Sequence, residues 1–284
     1  MVIENGLDLS ERMHALYKKT PDISELITSL CQKANYEKCE RIYIGSSFCG
    51  RYFINMKKEL VDKLLMYCKA EKIKVSLVLP VFTEKNLING KKKIADLSEQ
   101  FGEAIDETVV NDYGMLAYMN ENYRGKVNLA IGRLIMKDYR DPRYPEYFNT
   151  TYQPKTFTSY FEKMIDRYEV KAILCDATHH EIDFSNKPKS VTIGIYEPYT
   201  YMTVGQICQL GSTHLPIEKK FRPNGPCQEE CSDEKAEYFI EEGRKWFKLG
   251  RTIYFENRDF TVKGLDKLRR IHCVFDEEVE ACAH

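Results

Sequence analysis

The sequence predicts an α/β protein, a (β/α)8 TIM-barrel-like domain that is either regular or distorted and incomplete. Three observations predict it. β-rich segments alternate with helical ones along most of the chain. Eight such β segments can be counted, and strands separated by helices pair in parallel through right-handed crossovers. The length, 284 residues, suits a single barrel. A doubly wound open sheet is the alternative. No internal repeat or low-complexity linker divides the chain, so residues 1–284 are read as one domain.

The elements follow in order. Residues 1–38 are expected to be helical, over Leu9–Lys18 and Ile23–Ala34, with Pro21-Asp22 as a start signal for the second helix. Arg41–Ser46 reads as the first buried strand, through Ile42, Tyr43 and Ile44. Met56–Lys69 is helical, with Leu60, Leu64, Leu65 and Cys68 on one face. Lys74–Val81 is a strand, Lys91–Phe101 a helix, Thr108–Asn111 a strand and Tyr113–Met119 a helix. Val127–Ile135 is a strand, Thr156–Tyr168 a helix, and Lys171–Asp176 and Ser190–Tyr196 are strands. Glu234–Leu249 reads as a strong helix, from the spacing of Ala236, Phe239, Ile240, Trp246 and Phe247. Thr252–Glu256 and His272–Phe275 complete the strands, around a helix near Leu265–Arg270.

Two segments break this alternation. Lys137–Pro154 is rich in Tyr, Pro and Asp and reads as a lid or a surface excursion. The segment 203–232 carries Gly205, Gly211, Pro216, Pro223, Gly225 and Pro226, and is an irregular loop.

Net charge is −1, from 42 basic and 43 acidic side chains, which makes no case for a large polyanionic partner. The run Lys91-Lys92-Lys93 reads as a solvated face. Residues 1–19 lack the apolar core of a signal peptide, and no apolar stretch reaches membrane-spanning length. The expectation is a cytoplasmic protein without a membrane partner.

Ten cysteines are many for such a compartment, where disulfides are disfavoured. Cys31, Cys68, Cys175 and Cys273 sit in apolar patterns and read as core residues. Cys39 precedes a strand and Cys282 lies in the tail. The remaining four are different. Cys208 and Cys227-Gln-Glu-Glu-Cys231 lie on the irregular loop, where glycines and prolines let a backbone wrap around a soft metal. Cys49 follows the first predicted strand. In a parallel barrel the loops after the strands share one face, so Cys49 can meet the other three there. The plain alternative is four loop thiols with no ligand role. Zinc is the rival metal, held by Cys208, Cys227 and Cys231 with His214.

These residues carry a resemblance. Arg41-Ile-Tyr-Ile-Gly-Ser-Ser-Phe-Cys49 is similar to the first strand and cysteine of the collagenase-like peptidase family, in the branch acting in oxygen-independent ubiquinone hydroxylation. Val109-Val110-Asn111-Asp112-Tyr113-Gly114 resembles that family's V-N-D-x-G motif. The Cys208…Cys227-x3-Cys231 loop, after a strand like Val191–Tyr196, resembles its cysteine-rich loop. The resemblance implies a barrel and a 4Fe–4S cluster on Cys49, Cys208, Cys227 and Cys231. Tyr201 stands about where a typical member has an earlier cysteine. It also implies an oxygen-independent, hydroxylase-like redox enzyme for a small-molecule or RNA-linked substrate, or a subunit working with a homologous partner. A cluster-stabilised, non-catalytic binding subunit is the alternative from another class. Three departures stand out: Tyr196-Glu197 replaces the family's usual His-Gly, the cysteine loop is longer, and helices are expected before the first strand. Peptidase activity has no visible nucleophile or zinc triad.

Four further residues are candidates for substrate contact. Asn111 and Asp112 end the third predicted strand, on the expected active face, although Asp112 equally suits a helix cap. Arg133 can clamp a carboxylate or simply form an ion pair. Glu197 can serve as an acid, a base or an anchor, or be a solvated strand end. His179-His180 with Asp176 and Glu181 resembles a hard-metal cluster, but adjacent residues on an extended chain point apart. No P-loop, H-E-x-x-H, G-x-S-x-G or dinucleotide fingerprint is present.

Overall fold

The computed structural model describes all residues except 137–152, 179, 224, 234, 240–244, 259 and 276–284. The lid expected over Lys137–Pro154 therefore lies almost wholly outside the described residues, as do His179 and Cys282.

The elements in chain order begin with β1 (Val2–Asp8), α1 (Met13–Lys19), α2 (Ile23–Lys33), β2 (Arg41–Gly45), α3 (Gly50–Asn55) and α4 (Lys58–Ala70). Next come β3 (Lys74–Leu79), α5 (Glu84–Phe101), β4 (Glu107–Val110), α6 (Tyr113–Tyr123) and β5 (Asn128–Ile131). Then follow α7 (Ser159–Arg167), β6 (Ala172–Asp176), β7 (Ile182–Asp183), β8 (Thr192–Glu197) and β9 (Tyr199–Val204). The chain closes with β10 (Ala236–Phe239), β11 (Lys245–Leu249), β12 (Thr252–Glu256), β13 (Val262–Lys263) and β14 (Lys267–Cys273).

Eight strands form a closed parallel barrel in the order β1-β14-β8-β6-β5-β4-β3-β2. The predicted (β/α)8 architecture is thus present, with a four-stranded sheet β10-β11-β12-β9 added. Side chains alternate between two cores, as a strand's period of two requires. Tyr43, Val78, Val109, Leu174, Tyr196 and Ile271 face the barrel axis. Ile42, Ile44, Leu77, Val110, Ile173 and Ile195 face the helices. There α4 offers Leu60, Val61, Leu64, Leu65 and Cys68, each buried. Burying one such leucine stabilises the fold by about 1.5–3 kcal/mol. Cys31, Cys68 and Cys175 belong to this outer core, and Cys273 to the inner one.

Four expectations differ from the structure. The chain begins on strand β1, and the two helices expected over Leu9–Lys18 and Ile23–Ala34 follow it as α1 and α2. In β1 the axis-facing positions are Glu4, Gly6 and Asp8, so no apolar alternation marks the strand. The described residues of Glu234–Leu249 form no helix; they contribute β10 and β11. Its aromatics pair across strands, with Trp246 stacked on Phe255 (centroids 5.2 Å apart) and Phe247 on Tyr254 (5.4 Å). Such pairs are a sheet's unit of stabilisation and override helical spacing. The helix expected near Leu265–Arg270 is part of β14, while Thr252–Glu256 lies in the added sheet rather than the barrel. Among the described residues, no helix is long and apolar enough to cross a membrane.

The N-terminal end of the barrel is filled by charge. Arg41 Nε donates to Glu4 Oε1 (2.6 Å), and Arg41 Nη1 donates to Ser76 Oγ (2.9 Å). Ser76 Oγ donates to Glu107 Oε1 (2.9 Å), and Arg269 Nη1 reaches Glu107 Oε2 (2.8 Å). Burial pushes the Glu4 carboxyl up, but Arg269 and Arg41 outweigh it and hold it below its usual value. Removing one partner leaves a buried charge uncompensated. Glu107→Gln is therefore expected to lower unfolding stability by about 3–5 kcal/mol, measured by urea denaturation at neutral pH.

Candidate functional site

The site lies at the C-terminal end of the barrel strands and is built first around Cys49. After β2, Gly45 adopts φ +113°, and a Cβ there would stand 2.2 Å from Val78 O. Only glycine fits that approach. The chain then turns through Ser46 and Ser47 to Cys49, which caps α3 with its sulfur accepting from Tyr52 N (3.5 Å). Glu11, on the connection after β1, holds this turn. One of its carboxylate oxygens accepts from Ser46 Oγ (2.5 Å), Phe48 N (2.6 Å) and Cys49 N (3.1 Å). Arg251, on the β11–β12 turn, holds it from the other side by donating from Nη2 to Phe48 O (2.5 Å).

The second part is the irregular loop, which forms only short 3-10 turns at Leu210–Ser212, Ile217–Lys219 and Glu230–Ser232. Cys208 Sγ accepts from Gly211 N (3.3 Å) and Cys227 Sγ from Glu229 N (3.4 Å). The N-terminal segment pins this loop to the barrel. Arg12 Nη1 donates to Cys231 O (2.7 Å), and Lys18 Nζ to Asp233 Oδ1 (2.8 Å). His14 Nδ1 lies 2.7 Å from Glu229 Oε2, while His14 Nε2 accepts from Lys57 N (3.1 Å). Those partners require the Nδ1–H form of the ring.

Cys49, Cys208, Cys227 and Cys231 all line one cavity of about 60 Å³. Glu11, Arg51, Arg222, Arg251 and Thr252 share its wall. These four are half-buried free thiols, and the other five described cysteines are buried. Burial pushes the Cys49 thiol up to about 12, helped by Glu11. Burial also raises Cys231, with Cys49 and Cys208 opposing its ionisation, and raises Cys227. Thr252 Oγ1 is buried in this wall without a hydrogen-bond partner.

The donor set suits a soft metal group: four sulfurs, three of them already accepting a backbone N–H. Among the described residues, no three His, Cys, Asp or Glu side chains are grouped to hold one metal ion. Thiolates sharing one zinc crowd together, whereas cluster thiolates each bind a different iron and stand further apart. His214 is paired with Glu230 (2.8 Å) and does not line the cavity.

The other candidates are engaged structurally. Asn111 donates from Nδ2 to Leu79 O (2.9 Å) and accepts from Leu134 N (3.2 Å). Asp112 caps α6, accepting from Met115 N (2.8 Å). Glu197 points to the helix side of its strand, not to the cavity. There it is buried, paired with Arg270 (2.7 Å) and accepting from Tyr36 OH (3.2 Å). Arg133 is buried against Asp176, and its guanidinium lies 3.9 Å from the Tyr196 ring centroid. Asp176, turned inward to Arg133, is taken from the hard-metal grouping with His180.

Arg133 also floors a small second cavity of about 10 Å³, with Asp8, Tyr254 and Cys273. Around it Phe48, Tyr199, Tyr201, Phe247, Tyr254 and Phe275 pack in tilted, stacked and edge-to-face pairs and fill the barrel mouth. Tyr201 belongs to this packing and donates from its hydroxyl to Arg133 O (3.2 Å). Sequence reasoning missed Glu11, Arg12, His14 and Arg251, because none is near a cysteine in the chain and none sits in a motif. No protein-family model matches the chain, and no curated protein matches it.

Two expectations follow from this geometry. Glu11→Ala is expected to free the Cys49 turn, so that metal-free protein is alkylated at Cys49 faster than wild type by iodoacetamide at pH 8. Equal rates would show that Glu11 does not hold the turn. Asp8 accepts from Ser10 N (3.0 Å) and Ser10 Oγ (2.5 Å), yet burial pushes its carboxyl up from 3.8 to about 6. The folded state therefore binds that proton more tightly than the unfolded one, and stability falls as pH rises from about 4 to about 6. Asp8→Asn is expected to gain up to about 3 kcal/mol above pH 6, a gain that vanishes below pH 4, measured by urea denaturation across pH.

Proposed function

We propose that this chain is an iron–sulfur protein whose Cys49, Cys208, Cys227 and Cys231 hold a 4Fe–4S cluster beside the barrel mouth, for oxygen-independent redox chemistry. One observation carries the reading: four half-buried thiols from separate parts of the chain line one cavity, while the remaining described thiols are buried. Backbone N–H groups aimed at three of the sulfurs support it, because such bonds favour the ionised sulfur. When bound, the cluster supplies one-electron transfer.

The chain's own groups hold the ligands in register. Glu11 and Arg251 fix the turn that carries Cys49. Arg12 and His14 fix the stretch between Cys227 and Cys231. Arg51 and Arg222 add positive charge to the cavity wall. The aromatic packing over Arg133 fills the barrel axis, so a substrate approaches from the cavity rim. The resemblance to the collagenase-like peptidase branch supports a hydroxylase-like enzyme, or one subunit of such an enzyme beside a homologous partner. Its substrate would be a small molecule or RNA-linked. Free thiols throughout the described chain support a cytoplasmic setting.

A structural cluster in a binding subunit is the second reading. It is favoured by a loop that has only 3-10 turns and would gain order from a metal staple. Anaerobically purified protein is expected to carry about four iron and four sulfide per chain and to be reducible by dithionite. Cys49→Ala is expected to lose most of the iron. A bound but redox-silent cluster would favour the structural role. Zinc in place of iron, or full iron in Cys49→Ala, would overturn the four-cysteine assignment.

A further inference from the structure

We propose that segment 217–222, at the rim of the cysteine cavity, is the docking surface for an acidic one-electron carrier protein. The proposal rests on the cluster reading above and names the partner of that same site. Ile217 is 83% exposed and Phe221 54% exposed, two large apolar side chains left open to solvent in one short segment. Between and beside them stand Lys219, Lys220 and Arg222, against one acidic residue, Glu218. The chain as a whole has a net charge of −1, so this basic group stands against its background. Apolar anchors ringed by charge are the usual make-up of a specific, transient interface.

The patch is joined to the cavity by contacts. Phe221 N donates to Ser212 Oγ (3.3 Å), and Ser212 Oγ donates to Cys208 O (3.0 Å). Arg222 lines the cavity wall and ties back to Glu218 O (2.7 Å), which fixes the turn. A carrier seated here stands next to Cys208 and Cys227. One electron then passes from the reduced carrier to the oxidised cluster. The carrier is oxidised by one electron, no covalent bond changes, and no proton moves. An anionic membrane surface would also attract basic and apolar residues. It is disfavoured because Ile217–Lys219 is a single 3-10 turn and offers no continuous apolar helical face.

The test uses the anaerobically purified full chain with reduced plant-type ferredoxin as the acidic probe. Rates of cluster reduction by ferredoxin and by dithionite are compared at low and high salt, and ferredoxin binding is measured by calorimetry. In Lys219→Glu/Lys220→Glu, iron content and dithionite reduction are expected to match wild type. Ferredoxin reduction and affinity at low salt are expected to fall about tenfold or more, with the salt dependence flattened. Phe221→Ser is expected to weaken binding at both salt concentrations. Ferredoxin rates and affinity within about twofold of wild type in the charge-reversal variant would overturn the proposal, on the scale expected for steering. So would binding to phosphatidylserine vesicles that ferredoxin does not displace. Absence of iron from wild type would overturn the cluster reading, and the calorimetry would still report on docking.

Discussion

Closure of the barrel through β1 is the constraint on which the site depends. β1 pairs with β14 on one side and with β2 on the other, both in parallel. The connection leaving β1 therefore emerges beside the turn after β2, with only β14 between it and the chain that follows β8. That single placement lets one short segment serve two directions. Glu11 reaches the amides of Phe48 and Cys49, while Arg12 and His14 reach Cys231 and Glu229. If β1 were absent from the barrel, both halves of the cysteine cavity would lose their common anchor.

The added sheet then decides where on the barrel face the cavity can be. A parallel barrel commonly leaves its active centre on the axis, above the strand ends. Here Phe247 of β11 stacks on Tyr254 of β12, both they and Tyr199 of β9 meet Phe275 edge-on, and together they close that space. Arg133 below them is held by Asp176 and by the face of Tyr196. A guanidinium so desolvated is stable only with its charge matched, and an incoming carboxylate would have to displace Asp176. The cavity accordingly sits to the side, between the Cys49 turn, the irregular loop and the β11–β12 turn.

The barrel was legible wherever the helix-facing residues are apolar, as Val75, Leu77 and Leu79 are in β3 and Ile173 and Cys175 in β6. It was illegible in β1 and in β14 before His272, where Glu4, Asp8 and Arg269 face inward and a strand reads as a polar, helix-like stretch. Glu4 and Arg269 build the charge network at the barrel's base, so there the blind spot and the stabilising feature have one cause. The hairpin of β10 and β11 was hidden for another reason: its aromatic spacing fits a helix locally, and only pairing with β12 decides against it. The cysteine grouping was legible because barrel topology gathers the loops after the strands. Its anchors were not. Glu11 and Arg251 act through a backbone approach that no spacing in the chain announces.

Electrostatics explains why so many anchors are needed. Burial opposes ionisation of Cys49, Cys227 and Cys231, and each thiolate formed opposes the next. In a metal-free protein Cys49, Cys227 and Cys231 therefore favour their neutral forms and have little mutual attraction. A metal ligand must be deprotonated, so binding has to supply the energy to expel those protons. Nothing in the thiols themselves draws the two halves of the cavity together beforehand. That task falls to hydrogen bonds placed outside the sulfurs: Glu11 and Arg251 on one half, Arg12, His14 and Lys18 on the other. Preorganisation by these groups separates the cost of assembling the cavity from the cost of ionising it. The fold bears the first, which leaves the second to whatever the four sulfurs bind.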